Sequence, residues 1–433
     1  MKKTICALLA LTMVLLCAGC GSGNNVNNNA GSSGVSDHGS DGEASGNIYT
    51  DITGIAPDET LMEIDGSAIP AELYFYWLAY SCSSIEYQLL SAYNYYGAYG
   101  ELVNEDNTIK WDADLTDGVT VGQFALLQAE DTLRFYAAIE AMADEQGVTL
   151  TEEDEAAIEA SHEAAVEDLG SEEAFEEYLY QLGITQETFD RIATISHLFD
   201  RLTDLVLQEG SPLYLEEADY DQYGVYADHI LLSTVDTATG EALPEEEAAA
   251  KLETANDLLA QLRAAEDPEA LFAQLADTYS EDPGRETNPT GYIYTPGTMV
   301  QVFEDTAAAL APGEISDVVQ SDYGYHIILR KDLAQGLADY PDQKRTLAEE
   351  HLQSILQLKM DQAEVTQSEK LDDFDLGAFY ADYVACIESL LPTADSGDTA
   401  ADTASNSASN NTAANTADNT ADNAADNGEE SGQ

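Results

Sequence analysis

Two histidines stand in the middle of apolar, strand-like runs. His229 lies in Ala227-Asp228-His229-Ile230-Leu231-Leu232 and His326 in Gly324-Tyr325-His326-Ile327-Ile328. Side chains on a strand alternate between its two sides, so His229 shares a face with Leu231, and His326 with Ile328. Both imidazoles can therefore point to one side of a sheet. A lone imidazole in such a run is more often a satisfied core residue than a catalyst. Met299 and Phe303 are four residues apart and fall on one face if their segment is helical. An adaptable thioether and a flat ring suit the wall of an apolar slot. Such a set fits non-covalent work: holding a compact apolar group in a dry place and favouring one conformation of it.

The elements that must position these residues can be read around them. A strand covers 226–233, helices 244–264 and 268–279, a short strand 291–294, a helix 298–310, and two strands 318–320 and 325–331. Asp267 is placed to cap the second helix, with Pro268 at a position where a missing N–H costs nothing. The order β-α-α-β-α-β-β predicts an α+β unit with a small four-stranded sheet and three to four helices, over 219–333. Before it, 50–218 reads as mainly helical after a short strand and turn at 61–69. Thr151, Ser171 and Thr185 are candidate N-caps, and Gly147 is a candidate stop. After it, 334–395 reads as helical again. Helices on both flanks predict that 50–218 and 334–395 pack together as one chaperone-like domain, with 219–333 inserted. Ten aromatic residues fall within 74–99. They form either core or a surface for binding other polypeptides.

The segment 226–331 resembles the parvulin family of peptidyl-prolyl isomerases. The resemblance is carried by Ala227-Asp228-His229-Ile230-Leu231-Leu232, by Leu275-Ala276-Asp277-Thr278-Tyr279-Ser280-Glu281-Asp282, and by Met299 with Phe303-Glu304-Asp305. Leu310-Ala311-Pro312-Gly313-Glu314-Ile315-Ser316 and Gly324-Tyr325-His326-Ile327-Ile328 complete it. It implies a pocket in which His229 and His326 pair in a hydrogen-bond network and Asp282 lies near the reacting carbonyl. Met299, Phe303 and Tyr294 would line the proline slot, and Ser321 would supply a hydroxyl before the final histidine. It also implies that no cofactor and no metal is needed. Rotation about an X-Pro amide is slow because the C–N bond has partial double-bond character, and a catalyst needs only to bind the twisted amide better than the planar forms. The chain departs from the family at Asn288-Pro289-Thr290-Gly291-Tyr292-Ile293-Tyr294, which replaces the usual Gly-Asp-Leu-Gly run, and at Tyr323, where a small residue is common. The loop Ser233–Leu243 holds no Arg or Lys, which argues against recognition of a phosphorylated substrate.

The ends add a cellular expectation. Lys2 and Lys3 precede an apolar run from Ile5 to Leu16 that has the length of a signal-peptide core. Leu16-Cys17-Ala18-Gly19-Cys20 resembles a lipobox, which implies cleavage before Cys20 and an acylated Cys20 that anchors the chain to the outer side of the cell membrane. Residues 1–20 are then a lipoprotein signal, 21–49 a flexible linker and 396–433 a disordered acidic tail. Together with the flanking helices, this arrangement resembles the PrsA-type foldase lipoproteins and SurA-type periplasmic chaperones. It implies that the partners are folding secreted polypeptides with X-Pro bonds. The alternative is a holdase whose parvulin unit is inert. With 15 basic against 83 acidic residues and a net charge of -68, nucleic acid is not an expected partner. Cys82 and Cys386 lie on apolar helical patterns and are expected as buried free thiols rather than a disulfide. Two sulfurs without a nearby His are too few for a zinc site.

Overall fold

The computed structural model describes residues 46–236 and 239–390. The expectations for Cys20, the signal and the acidic tail fall outside the described residues. In chain order the elements are α1 (Ile48–Thr53), β1 (Thr60–Ile64), β2 (Ser67–Pro70), α2 (Ala71–Tyr96), β3 (Asp114–Thr116), β4 (Val119–Thr120), α3 (Val121–Gln146), α4 (Glu152–Leu169), α5 (Glu172–Leu182) and α6 (Gln186–Leu207). They continue with β5 (Val225–Ser233), α7 (Glu245–Ala264), α8 (Pro268–Tyr279), β6 (Tyr292–Tyr294), α9 (Gln301–Ala309), β7 (Val319–Gln320), β8 (Gly324–Arg330), α10 (Leu333–Asp339), α11 (Pro341–Gln362), β9 (Val365–Gln367) and α12 (Leu376–Leu390). They fall into two compact units, one built from the chain up to Leu198 and from Lys359 onward, the other from Phe199 to Leu358.

The first unit is mainly helical. Capping fixes where its helices start. Thr151 and Asp154 form a reciprocal capping box at α4, and the Ser171 hydroxyl accepts from Ala174 N at α5. The start of α6 is held from a distance. The buried Glu72 carboxylate accepts from Thr185 N, the Thr185 hydroxyl and the Thr188 hydroxyl. A carboxylate at a helix N-terminus meets free N–H groups and the positive end of the dipole. A three-stranded antiparallel sheet of order β2-β1-β9 joins the two ends of the unit.

The linker expected over 21–49 ends earlier than its composition indicates. Asn47 caps α1, and Ile48 and Tyr49 are fully buried. The Tyr49 ring lies 5.8 Å from Phe75 and stacks on Tyr383 at 5.8 Å. Two apolar residues at the edge of a polar stretch were enough to draw it into the core. Cys82 is buried, but Cys386 is only half-buried; both are free thiols. The aromatic helix divides along its length. Tyr74, Phe75 and Trp77 are core, whereas Tyr95 and Tyr96 are 82% and 86% exposed.

The second unit is the α+β one. Its sheet has the order β6-β5-β8-β7, with every pairing antiparallel. One face packs Ile230, Leu232, Ile327 and Leu329 against Ala255, Leu258, Leu259 and Leu262 of α7 and Phe272 and Leu275 of α8. The opposite face carries Ala227 and Ile328 against Phe303 and Ala307 of α9 and Tyr294 of β6. Asp267 accepts from Ala270 N with Pro268 in the first turn of α8. The unit is wider than 219–333. Residues 199–218 and 334–358 belong to it. Arg345 of α11 reaches Asp200 and Asp204 of α6, and Leu347 sits against Gly224. Helical character alone could not say which helices pack on which domain. Among the described residues no helix is long and apolar enough to cross a membrane.

Candidate active site

The sheet register brings the two histidines together. His229 pairs across the ladder with Ile328, and Leu231 with His326, so the imidazoles are diagonal neighbours on the face turned to α9. Their rings stack at 5.3 Å with planes 13° apart, and Nδ1 of one lies 3.1 Å from Nδ1 of the other. Phe303 presents its ring at 5.2 Å from His229 and 6.1 Å from His326. Tyr294 packs behind Phe303 at 5.9 Å and is itself buried.

Asp282 arrives on a loop that runs beside β5. Glu281 N donates to Leu231 O, Leu231 N to the Ser280 hydroxyl, and Ser233 N to the Glu281 carboxylate. These bonds continue the sheet past the end of β6. Arg285 clamps the same loop through the buried Asp228 and through Asp277. The Asp282 carboxylate thereby meets His229 Nε2 at 3.0 Å, while the Tyr292 hydroxyl donates to it at 2.6 Å and Gly284 N at 3.0 Å. At the far end the Ser321 hydroxyl lies 2.7 Å from His326 Nε2.

The contacts assign the protons. Burial raises the Asp282 carboxyl, but the bonds from His229 and Tyr292 outweigh it and hold it at about 2. An ionised carboxylate only accepts, so His229 donates to it from Nε2. Hydrogen bonds thus link Ser321, His326, His229 and Asp282 in one chain. Burial, with the neighbouring His229 in second place, lowers His326 to about 4, which agrees with a neutral ring.

The buried floor is Phe303 with the two imidazoles, while Asp282, Tyr292, Met299 and Ser321 are half-buried at its margin. Met299 is not on the helix as expected. Helix α9 begins at Gln301, and Met299 sits in the preceding loop. Glu304 accepts from Met299 N and Gly297 N and so bends that segment back over the helix start. Met299 still packs on the Phe303 and Tyr294 cluster. Sequence reasoning passed over Tyr292, although its alternation with Tyr294 puts both on one strand face, and over Arg285.

The family described as the PPIC-type PPIASE domain matches residues 214–332. That segment is a parvulin-type domain. "Foldase protein PrsA 4" of Bacillus cereus is 39% identical over 105 residues, 24% of this chain and 36% of its own length. "Foldase protein PrsA" of Halalkalibacterium halodurans is 33% identical over 163 residues, 37% of this chain and 45% of its own. The chain thus spans less than half the length of these two relatives. A crystal structure of peptidylprolyl isomerase (PrsA) from Bacillus anthracis aligns at 20% identity over 53% of this chain and 96% of that one, with a TM-score of 0.26. All seven residues expected at the parvulin site, His229, Asp282, Tyr294, Met299, Phe303, Ser321 and His326, lie within the matched span.

Proposed function

We propose that the chain is a peptidyl-prolyl cis/trans isomerase and foldase that acts on folding polypeptides outside the cytoplasmic membrane, held there by a lipid on Cys20. The observation that carries the reading is the convergence of Phe303, the imidazole pair and the Asp282 carboxylate at one place on the parvulin sheet. The relatives' name, foldase, and the description of the matching family, PPIC-type PPIASE domain, support it. The proline ring would rest on Phe303 and Met299 with Tyr294 behind. A planar amide draws negative charge onto its oxygen, and that charge gives the C–N bond its double-bond character. A fixed carboxylate near that oxygen opposes the planar form and favours the twisted one, with no covalent step. Ser321 and the imidazole pair keep the surroundings rigid.

The test is catalysis of proline-peptide isomerisation by the full chain. The wild type should accelerate the exchange, and Phe303→Ala should lower kcat/KM at least about tenfold, as expected when a main apolar contact made in the transition state is lost. Equal turnover by that variant would remove the slot. The exposed Tyr95 and Tyr96, beside half-exposed Tyr87, favour a second role in holding clients. No acceleration by the folded wild type, with aggregation of an unfolded client still suppressed, would leave that role alone.

A further inference from the structure

Tyr292 lies in the segment that departs from the family's run, and its hydroxyl reaches Asp282 Oδ2 at 2.6 Å. The room for that contact comes from Gly284. A Cβ there would meet the Tyr292 hydroxyl at 2.2 Å. The phenol therefore fills space that only a glycine leaves open, and the two positions fit each other. The Tyr292 ring also lies 5.9 Å from His229 in edge contact.

We propose that Tyr292 is a positioning residue of the isomerase site, whose phenol fixes Asp282 as an oriented carboxylate at the end of the Ser321–His326–His229 hydrogen-bond chain. The inference rests on the isomerase reading. Asp282 Oδ2 receives two donors, Tyr292 from β6 and His229 from β5, while Oδ1 receives Gly284 N from its own loop. The other titratable groups nearby are His326 from β8, Asp228 from β5 and Arg285 from the loop, and Arg285 is occupied by Asp228 and Asp277. Without the phenol, His229 is the one side chain left to hold the carboxylate. If Asp282 takes up a proton, His229 Nε2 loses its fixed ionised acceptor and the chain loses its anchor.

The experiment uses the full chain, with Asp carboxyl carbons labelled and the Asp282 signal assigned by its loss in Asp282→Asn. In Tyr292→Phe the Asp282 titration midpoint should rise by about one pH unit, the worth of one hydrogen bond to a charged group. The acid limb of kcat/KM should move with it. Gly284→Ala, which displaces the phenol and leaves Asp282 intact, should produce the same shift. A midpoint unchanged in Tyr292→Phe overturns the inference, as does a fall in rate that is uniform over pH. If the wild type does not accelerate isomerisation at all, the isomerase reading fails, and the carboxyl titration still decides whether Tyr292 fixes Asp282.

Discussion

Individual side chains in the parvulin pocket are held by their protonation states as much as by packing. His326 titrates at about 4 in the fold against an ordinary 6.5, with burial the main cause. Between those values the unfolded chain binds the extra proton and the folded chain does not, so stability rises with pH there and is lost as pH falls from 6.5 towards 4. The shift corresponds to an upper limit of about 3 kcal/mol. Asp282, lowered in the fold to about 2, adds a loss of the same sign below the usual carboxylate range. Hydrogen exchange of the β5 and β8 amides should therefore show a larger loss of protection between pH 6.5 and 4.5 in the wild type than in His326→Gln. Equal losses would mean that the ring is not buried neutral. Much of this pocket was legible in the residues. Two-residue alternation put both imidazoles on one face because a ladder register preserves it. Met299 was misplaced because spacing of four says nothing about where a helix begins. Alternation with Tyr294 gives Tyr292 its strand face, but not its bond to Asp282, which comes from a loop ten residues away, and loops carry no period.

Secondary elements here depend on a few close approaches. Gly324 opens β8 at φ +149, and a Cβ on it would fall 2.2 Å from Leu232 O on β5. Gly324→Ala should shift the start of β8, disturb the spacing of His326 from His229 and cost on the order of 2 kcal/mol. The check is thermal unfolding followed by far-ultraviolet circular dichroism, with the Gly324→Ala transition expected several degrees lower. An unchanged transition would show that the strand can yield locally. Helix starts were readable because a cap and its acceptor lie within one turn, as at Thr151, Ser171 and Asp267. β9 was not readable. Its three residues Val365–Gln367 are too short for a pattern, and they exist as a strand only through pairing with β1. α1 was hidden in the same way, since Tyr49 packs on residues far along the chain.

At the scale of the molecule, the second compact unit runs from Phe199 to Leu358. Helical segments 199–218 and 334–358 have no mark in composition that tells one domain from the other, and the deciding contacts are between distant residues such as Arg345 with Asp200 and Asp204. A fragment spanning 199–358 should therefore unfold at a higher temperature than one spanning 219–333. Leu202, Val206, Leu347, Leu352 and Leu356, all buried, are lost from the shorter piece. Matching transitions would place the stability wholly in the sheet and its three helices. The charge of -68 was plain from the outset, and its consequence is general: it keeps the surface repulsive towards polyanions whatever the fold beneath it.

The antiparallel pairing of Met62–Ile64 with Val365–Gln367 has a consequence for biosynthesis. Asp65 holds Glu364 N from 299 positions earlier in the chain. During synthesis, which proceeds from the N-terminus, β1 is presented long before its partner has been made. The parvulin strands, by contrast, are all made before β9 exists. The α+β unit is thus free to finish folding first, and the sheet of the helical unit closes later, when β9 has been made.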